Sequence, residues 1–166
     1  MIINIDASHS QQTKTGRIAV IIKDNKNVVL NQITDHISCN TAAYSEIKAM
    51  IEVIYYIDKM MKKENVSVFT DCEIVCSLFN KGHFEQKLNK IIRRKTYLAT
   101  DIKVNKDEML NIREKLKKIR LKNKVLIQWT PRENNREADR LSKMYIVKHN
   151  RKQRKRNRKN KILEVK

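Results

Sequence analysis

Residues 1–8 read Met1-Ile2-Ile3-Asn4-Ile5-Asp6-Ala7-Ser8. Apolar residues come first, then a carboxylate, then two small residues. Residues 1–7 form the first predicted strand, and Asp6 is delivered at its C-terminal end. An Asp in an apolar strand is costly to bury unless something pairs with it. Whatever pairs with Asp6 decides what this chain does.

Working outward, the polar segment 11–16 reads as a turn. Residues 17–23 (RIAVIIK) are rich in β-branched residues and predict a second strand. Asp24-Asn25-Lys26-Asn27 reads as a hairpin turn, and 28–37 as a third strand. Three strands joined by short turns predict an antiparallel meander. The period then changes. Thr41 is an N-cap type, and Ile47, Met50, Ile51, Ile54 and Tyr55 recur at helical spacing. Lys59, Lys62 and Lys63 complement the dipole at the far end, which predicts a helix over 41–63. Residues 66–70 (VSVFT) read as a short buried strand. Strand, long helix and strand imply a right-handed crossover to a parallel neighbour.

A helix over 72–80, ended by Gly82, follows. Residues 83–124 are helical in pattern and very basic, and predict two helices. The first carries Lys87, Lys90, Arg93, Arg94 and Lys95; the second covers 106–120, with Met109, Ile112, Leu116 and Ile119 on one face. A final strand spans 125–129 (VLIQW), Pro131 stops it, and a last helix covers 135–147. The expected fold class is α/β: a mixed five-stranded sheet, three antiparallel strands then parallel strands, flanked by helices.

The chain has 166 residues, 40% of them hydrophobic and 33% charged, which suits one domain with a full core. The formal net charge is +19. A field of that sign favours a polyanion, with nucleic acid first and an anionic membrane surface second. Residues 148–166 carry 10 Lys or Arg against one acid, so that tail is expected to be disordered when free. The domain is expected over 1–147 and is itself basic. The three cysteines, Cys39, Cys72 and Cys76, have neither the even count of a disulfide framework nor zinc-ribbon spacing, and suit a reducing compartment. Charge arrives too early after Met1 for a signal peptide, and no apolar run approaches the ~20 residues that span a bilayer. The expectation is a cytoplasmic monomer without a membrane partner. A eukaryotic or viral host would allow a nuclear location.

Four acids lie at the ends of these elements. Asp6 ends the first strand and Asp71 the fourth. If those strands are parallel neighbours, both carboxylates emerge at the same sheet edge, where α/β sheets place their ligand sites. Glu46 lies near the start of the crossover helix, and Asp139 on the last helix. Each also has a local reading. Asp6 could bond nearby amides, Glu46 could sit on a solvated turn, and Asp71 could be an N-cap. Asp139 could pair with Arg136, Arg140 or Lys143. Crowded together, the four acids would repel until a cation entered.

In that order the acids resemble those of type 1 ribonuclease H. IDAS resembles its strand-one motif, TAAYSE its helix-A motif and FTDCEIV its strand-four motif. WTPRENNREADRLS resembles the closing motif of its short-loop members. The resemblance covers 1–147. It implies a ribonuclease H-like fold and a metal-dependent endonuclease that cuts the RNA strand of RNA–DNA hybrids to 5′-phosphate and 3′-hydroxyl products. Mg²⁺, as two ions, would be the cofactor, with Mn²⁺ an alternative. Asp6 would bridge both ions, Asp139 would hold the one that activates water, and Glu46 and Asp71 the one beside the leaving oxygen. The loop histidine of many members is missing, and Arg132 or Glu133 occupies the loop tip. The other histidines, at 9, 36, 83 and 149, do not fit that position. Thr41 matches the threonine of the family's phosphate pocket, but the asparagine beside it is Ala42. Lys87, Lys90, Arg93, Arg94 and Lys95 would form a basic protrusion, and these residues, Thr41, Arg132 and the tail would bind nucleic acid. No hybrid-binding module is expected ahead of the domain. The alternatives are a catalytically silent binding module of the same fold and a related nuclease such as a junction resolvase.

Overall fold

β1 (Ile2–Ser10) runs through the middle of the sheet in the computed structural model, which describes residues 1–60, 63–80 and 84–144. β2 (Thr15–Lys23) pairs with it antiparallel, and β3 (Val29–Ser38) pairs with β2. α1 (Ala42–Asp58) then crosses over to β4 (Asn65–Thr70), which lies parallel to β1 on its other side. α2 (Glu73–Phe79), α3 (Phe84–Ile92), α4 (Tyr97–Val104) and α5 (Lys106–Lys122) follow, and β5 (Lys124–Trp129) pairs parallel with β4. A 3-10 turn at Arg132–Asn134 leads into α6, helical over 136–144. The strand order is β3-β2-β1-β4-β5. This is the mixed five-stranded arrangement that the strand and helix periods predict.

The alternation of β1 sorts its side chains. Ile3 and Ile5 are fully buried in the core, with Ile18, Val20 and Ile22 of β2 and Val66 and Val68 of β4. Ile47, Met50, Ile51 and Ile54 of α1 close that core from one side, and Ile112, Leu116 and Ile119 of α5 extend it. Each such side chain contributes roughly 1.5–3 kcal/mol by leaving water. Asn4, Asp6 and Ser8 point the opposite way and meet α6. So one face of β1 is purchased by packing and the other is left for polar work.

Several boundaries differ from expectation. β1 continues to Ser10, and β2 starts at Thr15, because the turn between them needs only four residues, with Lys14 at φ 50°. α1 is shorter than 41–63. Its buried stripe ends at Ile57, and the Met60 amide bonds the Ile57 carbonyl at 3.1 Å, tightening the last turn. The basic segment holds three helices, not two. Thr96 caps a new one, its hydroxyl accepting from the Ala99 amide at 3.3 Å, so Arg93, Arg94 and Lys95 lie in the connection after α3 rather than on it. Gly82, residues 145–147 of the last predicted helix and the tail 148–166 lie outside the described residues.

Gly16 sets how closely β2 approaches the start of α1. A Cβ there would collide with Ser45 Oγ and lie 3.2 Å from Cys39 Sγ. Ser45 is fully buried and precedes Glu46. Gly16→Ala is expected to destabilise the protein by about 1–3 kcal/mol through overpacking, read as a lower urea midpoint at unchanged m. An unchanged midpoint would show that Ser45 can swing aside.

Candidate active site

The last register pair between β1 and β4 is Asn4 with Phe69. Two residues further on stand Asp6 and Asp71, at the edge where the strands part. The Asp71 turn is held from both sides. The Cys72 amide bonds Thr70 Oγ1 at 3.1 Å, and Trp129 Nε1, at the end of β5, donates to the Asp71 carbonyl at 3.0 Å. Glu46 reaches in from the first turns of α1, and its Oε1 accepts from the Ala7 amide at 3.0 Å. Ligand atoms of Asp6, Glu46 and Asp71 all lie within 4.8 Å of one another.

This proximity is electrostatically costly. Asp6 is 2% exposed. Burial raises its carboxyl to about 6; Ser142 offsets part of this, and the charges of Asp71 and Asp139 add to it. Burial also drives Glu46 well above the usual carboxylate range, with Asp6 the next contributor. Glu46 Oε2 is buried and accepts no hydrogen bond. Three converging acids with an orphaned buried oxygen are the donor set of a hard-cation site: oxygen-only, anionic and short of positive charge. Divalent Mg²⁺ or Mn²⁺ fits that set.

Asp139 stands beside this group rather than within it. Its charge is felt at Asp6, yet its carboxylate is already paired. Arg132 donates to Asp139 Oδ1 through Nε at 2.9 Å and also through Nη2, and Lys143 Nζ lies 2.7 Å from Oδ2. Burial pushes Asp139 up, but Lys143 and Arg132 outweigh it and hold the carboxyl below its usual range. Lys143 is one of the partners the sequence suggests. Arg132 is placed by the 3-10 turn, and its charge also reaches Asp6, Glu46 and Asp71.

The other expected nucleic-acid contacts divide. Thr41 is the N-cap of α1, accepting from the Tyr44 amide at 3.2 Å. Its hydroxyl donates to Asp101 Oδ2 at 3.0 Å, and Asn40 gives Asp101 Oδ1 its amide at 3.1 Å and its side-chain Nδ2 at 2.7 Å. A carboxylate of this chain therefore already sits at the start of α1, where a phosphate was expected. Lys87, Lys90 and Arg94 rim a groove of about 480 Å³ between α2 and the α3–α4 pair, floored by Ile74 and Leu98. Glu73, two residues after Asp71, lines the same groove. Arg93 and Lys95 are exposed beside it.

Several contributors were not found from the sequence. Asp101 lies on α4, whose start at Thr96 is obscured in the sequence by the basic run Arg93-Arg94-Lys95. Asn135 is 1% exposed and donates Nδ2 to the Ile5 carbonyl at 2.7 Å. Ser142 is fully buried and donates to Asp6 Oδ2. Both lie in the NREADRLS string that supplied Asp139, at positions four before and three after it. That is the same helical face, and this spacing was the available signal.

The RNase H family matches residues 1–147. The chain belongs to the RNase H family. Solved structures of RNase H1 share its fold. LC11-RNase H1, isolated from compost by a metagenomic approach, is 22% identical with a TM-score of 0.60, covering 84% of this chain and 90% of that one. The same enzyme in complex with an RNA/DNA hybrid gives 21% and 0.58, covering 84% and 91%. The prototype foamy virus protease–reverse transcriptase is 22% identical with a TM-score of 0.63; the match covers 86% of this chain but 20% of that one. No curated protein matches the chain. No described helix is long and apolar enough to cross a membrane. The three cysteines are free thiols.

Proposed function

We propose that this RNase H family member is a metal-dependent endonuclease that hydrolyses the RNA strand of RNA–DNA hybrids, leaving 5′-phosphate and 3′-hydroxyl ends. The observation that carries this reading is the convergence of Asp6, Glu46 and Asp71 with an orphaned Glu46 oxygen among them. The LC11-RNase H1 complex with an RNA/DNA hybrid supports the same substrate for this chain. Asp6, Glu46, Asp71 and, once released from its ion pairs, Asp139 are the residues that would hold divalent cations, Mg²⁺ first and Mn²⁺ second. Two such ions supply a hydroxide-like nucleophile and neutralise charge on the leaving oxygen.

The chain's own residues do the rest. The Ala7 amide orients Glu46 through its hydrogen bond to Oε1. Arg132, paired with Asp139 and with its side chain 59% exposed, presents a guanidinium that can meet a phosphate oxygen of the substrate. Lys87, Lys90 and Arg94, at a groove that Glu73 also lines, with Arg93 and Lys95 beside it, would track a backbone by charge, reading hybrid shape and 2′-hydroxyls rather than sequence. With Asp101 on Thr41, the start of α1 contributes little to phosphate binding, so this basic ridge carries more of the grip. We read the active chain as a cytoplasmic monomer, with a catalytic domain over 1–147 and a nucleic-acid arm over 148–166.

Labelled RNA–DNA hybrid, duplex RNA, duplex DNA and a four-way junction, each with Mg²⁺, Mn²⁺ or EDTA, test the proposal. Cleavage of the hybrid alone, abolished by EDTA, is expected. Tight binding without cleavage of any substrate would replace it with a silent binding module, a reading to which the ion-paired state of Asp139 gives its one specific support. Junction cleavage would point to a resolvase. Removing 148–166 is expected to weaken hybrid binding and flatten its dependence on salt, because each lost phosphate contact lowers the slope. An identical salt slope would show that the tail does not touch phosphate.

A further inference from the structure

We propose that Ser142 is a positioning residue for the Asp6 carboxylate, and that it links the place of Asp139 to that of Asp6. The inference rests on the reading of Asp6 as a metal ligand. Ser142 is fully buried, and its Oγ donates to Asp6 Oδ2. A serine hydroxyl has one proton. The other acceptor within reach is the Asp139 carbonyl at 2.9 Å, and a buried carboxylate competes better for the proton than a carbonyl does.

The chemistry of this donor matters. Ligand atoms of Asp6, Glu46 and Asp71 lie within 4.8 Å of one another, so the three carboxylates repel. A cation at Asp6 Oδ2 would relieve that repulsion but would also satisfy the cluster and compete with a metal, as Arg132 and Lys143 do at Asp139. A hydroxyl is neutral. It holds one carboxylate orientation and leaves the negative charge of the three-acid group in place for a cation. A carboxylate oxygen has two lone-pair sites, so accepting from Ser142 does not remove it from ligation.

The same residue fixes α6. The Ser142 carbonyl accepts from Ser8 Oγ at 2.8 Å, and at the start of the helix Asn135 Nδ2 donates to the Ile5 carbonyl at 2.7 Å. Residues 135, 139 and 142 share one helical face. The helix is thus stitched to β1 at both ends of that face, with Asp139 between the stitches. α6 cannot slide along β1 without moving Asp6 Oδ2 away from its donor.

The test uses calorimetric titration of the full chain with Mn²⁺ at pH 7.5, without substrate, alongside thermal unfolding. Three variants are compared. Ser142→Ala removes the hydroxyl. Ser142→Cys fills the site with a slightly larger, weakly donating thiol, so that with Ser142→Ala it separates packing from hydrogen bonding. Ser8→Ala cuts the other tie between β1 and α6 without touching the Asp6 carboxylate. Ser142→Ala and Ser142→Cys are expected to lose about 10- to 100-fold in Mn²⁺ affinity, the usual cost of removing a partner of a metal ligand. Ser8→Ala is expected to bind Mn²⁺ within a few-fold of the wild type, even where its melting temperature falls, because the Asn135–Ile5 tie and the Ser142–Asp6 bond still hold the helix in place. Wild-type affinity in both Ser142 variants, or an equal loss in Ser8→Ala, would overturn the positioning role while leaving the metal site intact. A wild-type chain that binds no Mn²⁺ would instead overturn the metal reading and this proposal with it.

Discussion

Asp71→Asn is expected to abolish hybrid cleavage, a loss on the order of 10²–10³-fold or more, while hybrid affinity stays within a few-fold. The substitution keeps the shape of the side chain and removes its charge. The turn that presents it survives, because the Cys72 amide and Trp129 Nε1 grip Thr70 Oγ1 and the Asp71 backbone carbonyl, not its carboxylate. On the proposed reading, grip on nucleic acid would come from Lys87, Lys90, Arg93, Arg94 and Lys95, which the change does not touch. Stability should move the opposite way. Asp71 raises the carboxyls of both Asp6 and Glu46, so removing its charge relieves a repulsion in the folded state. The metal-free variant should therefore melt above the metal-free wild type, and gain less from added Mn²⁺. A variant that is inactive because it is misfolded would melt lower. Unchanged turnover would show that Asp71 holds no metal.

The strand–helix–strand period located the sheet, and the acids at element ends located the cluster, because both signals are local. Asp6, Glu46 and Asp71 were legible as a set since parallel pairing of β1 and β4 forces two of them to one edge, and α1 covers that edge. What sequence could not reveal is who pairs with whom across long separations. Asp139 reads as a fourth ligand, yet the choice between a metal and a counter-ion depends on Arg132, seven residues away, whose direction is set by a 3-10 turn after Pro131. Thr41 reads as an open phosphate donor, yet its hydroxyl is committed to Asp101, sixty residues later, behind a helix boundary that basic residues blur. Ser142 carries no chemical signal in isolation. It becomes informative only with its Oγ against Asp6. The readable part was thus periodicity and sequence order. The hidden part was side-chain pairing, where a single proton or lone pair decides.

Without divalent metal, the protein is expected to lose stability as the pH rises from about 4 to 7. The sign follows from Asp6. Its carboxyl is raised from 3.8 to about 6 in the folded protein, mainly by burial, so the folded state binds a proton that the unfolded state has lost. The stabilising contribution is fully present below 3.8 and disappears as the pH rises through about 6. The penalty at neutral pH is roughly 3 kcal/mol for Asp6 alone. Glu46, raised by the same burial and by Asp6, acts in the same direction from 4.5 upward. Asp139 acts oppositely, because Lys143 and Arg132 hold its carboxyl low; its contribution is lost only as the pH falls below 3.8, outside this window. Other acids add their own slopes, so the clean quantity is the difference between wild type and Asp6→Asn. Urea unfolding in EDTA at steps between pH 4 and 7.5 should show wild type losing ground to the variant as the pH rises. Mn²⁺ should cancel the loss, stabilising the wild type more at pH 7.5 than at pH 5, since a cation takes the place of the proton among the acids. Parallel pH profiles for wild type and Asp6→Asn would mean that Asp6 carries no buried charge at neutral pH. The cluster would then have no unmet demand for a cation.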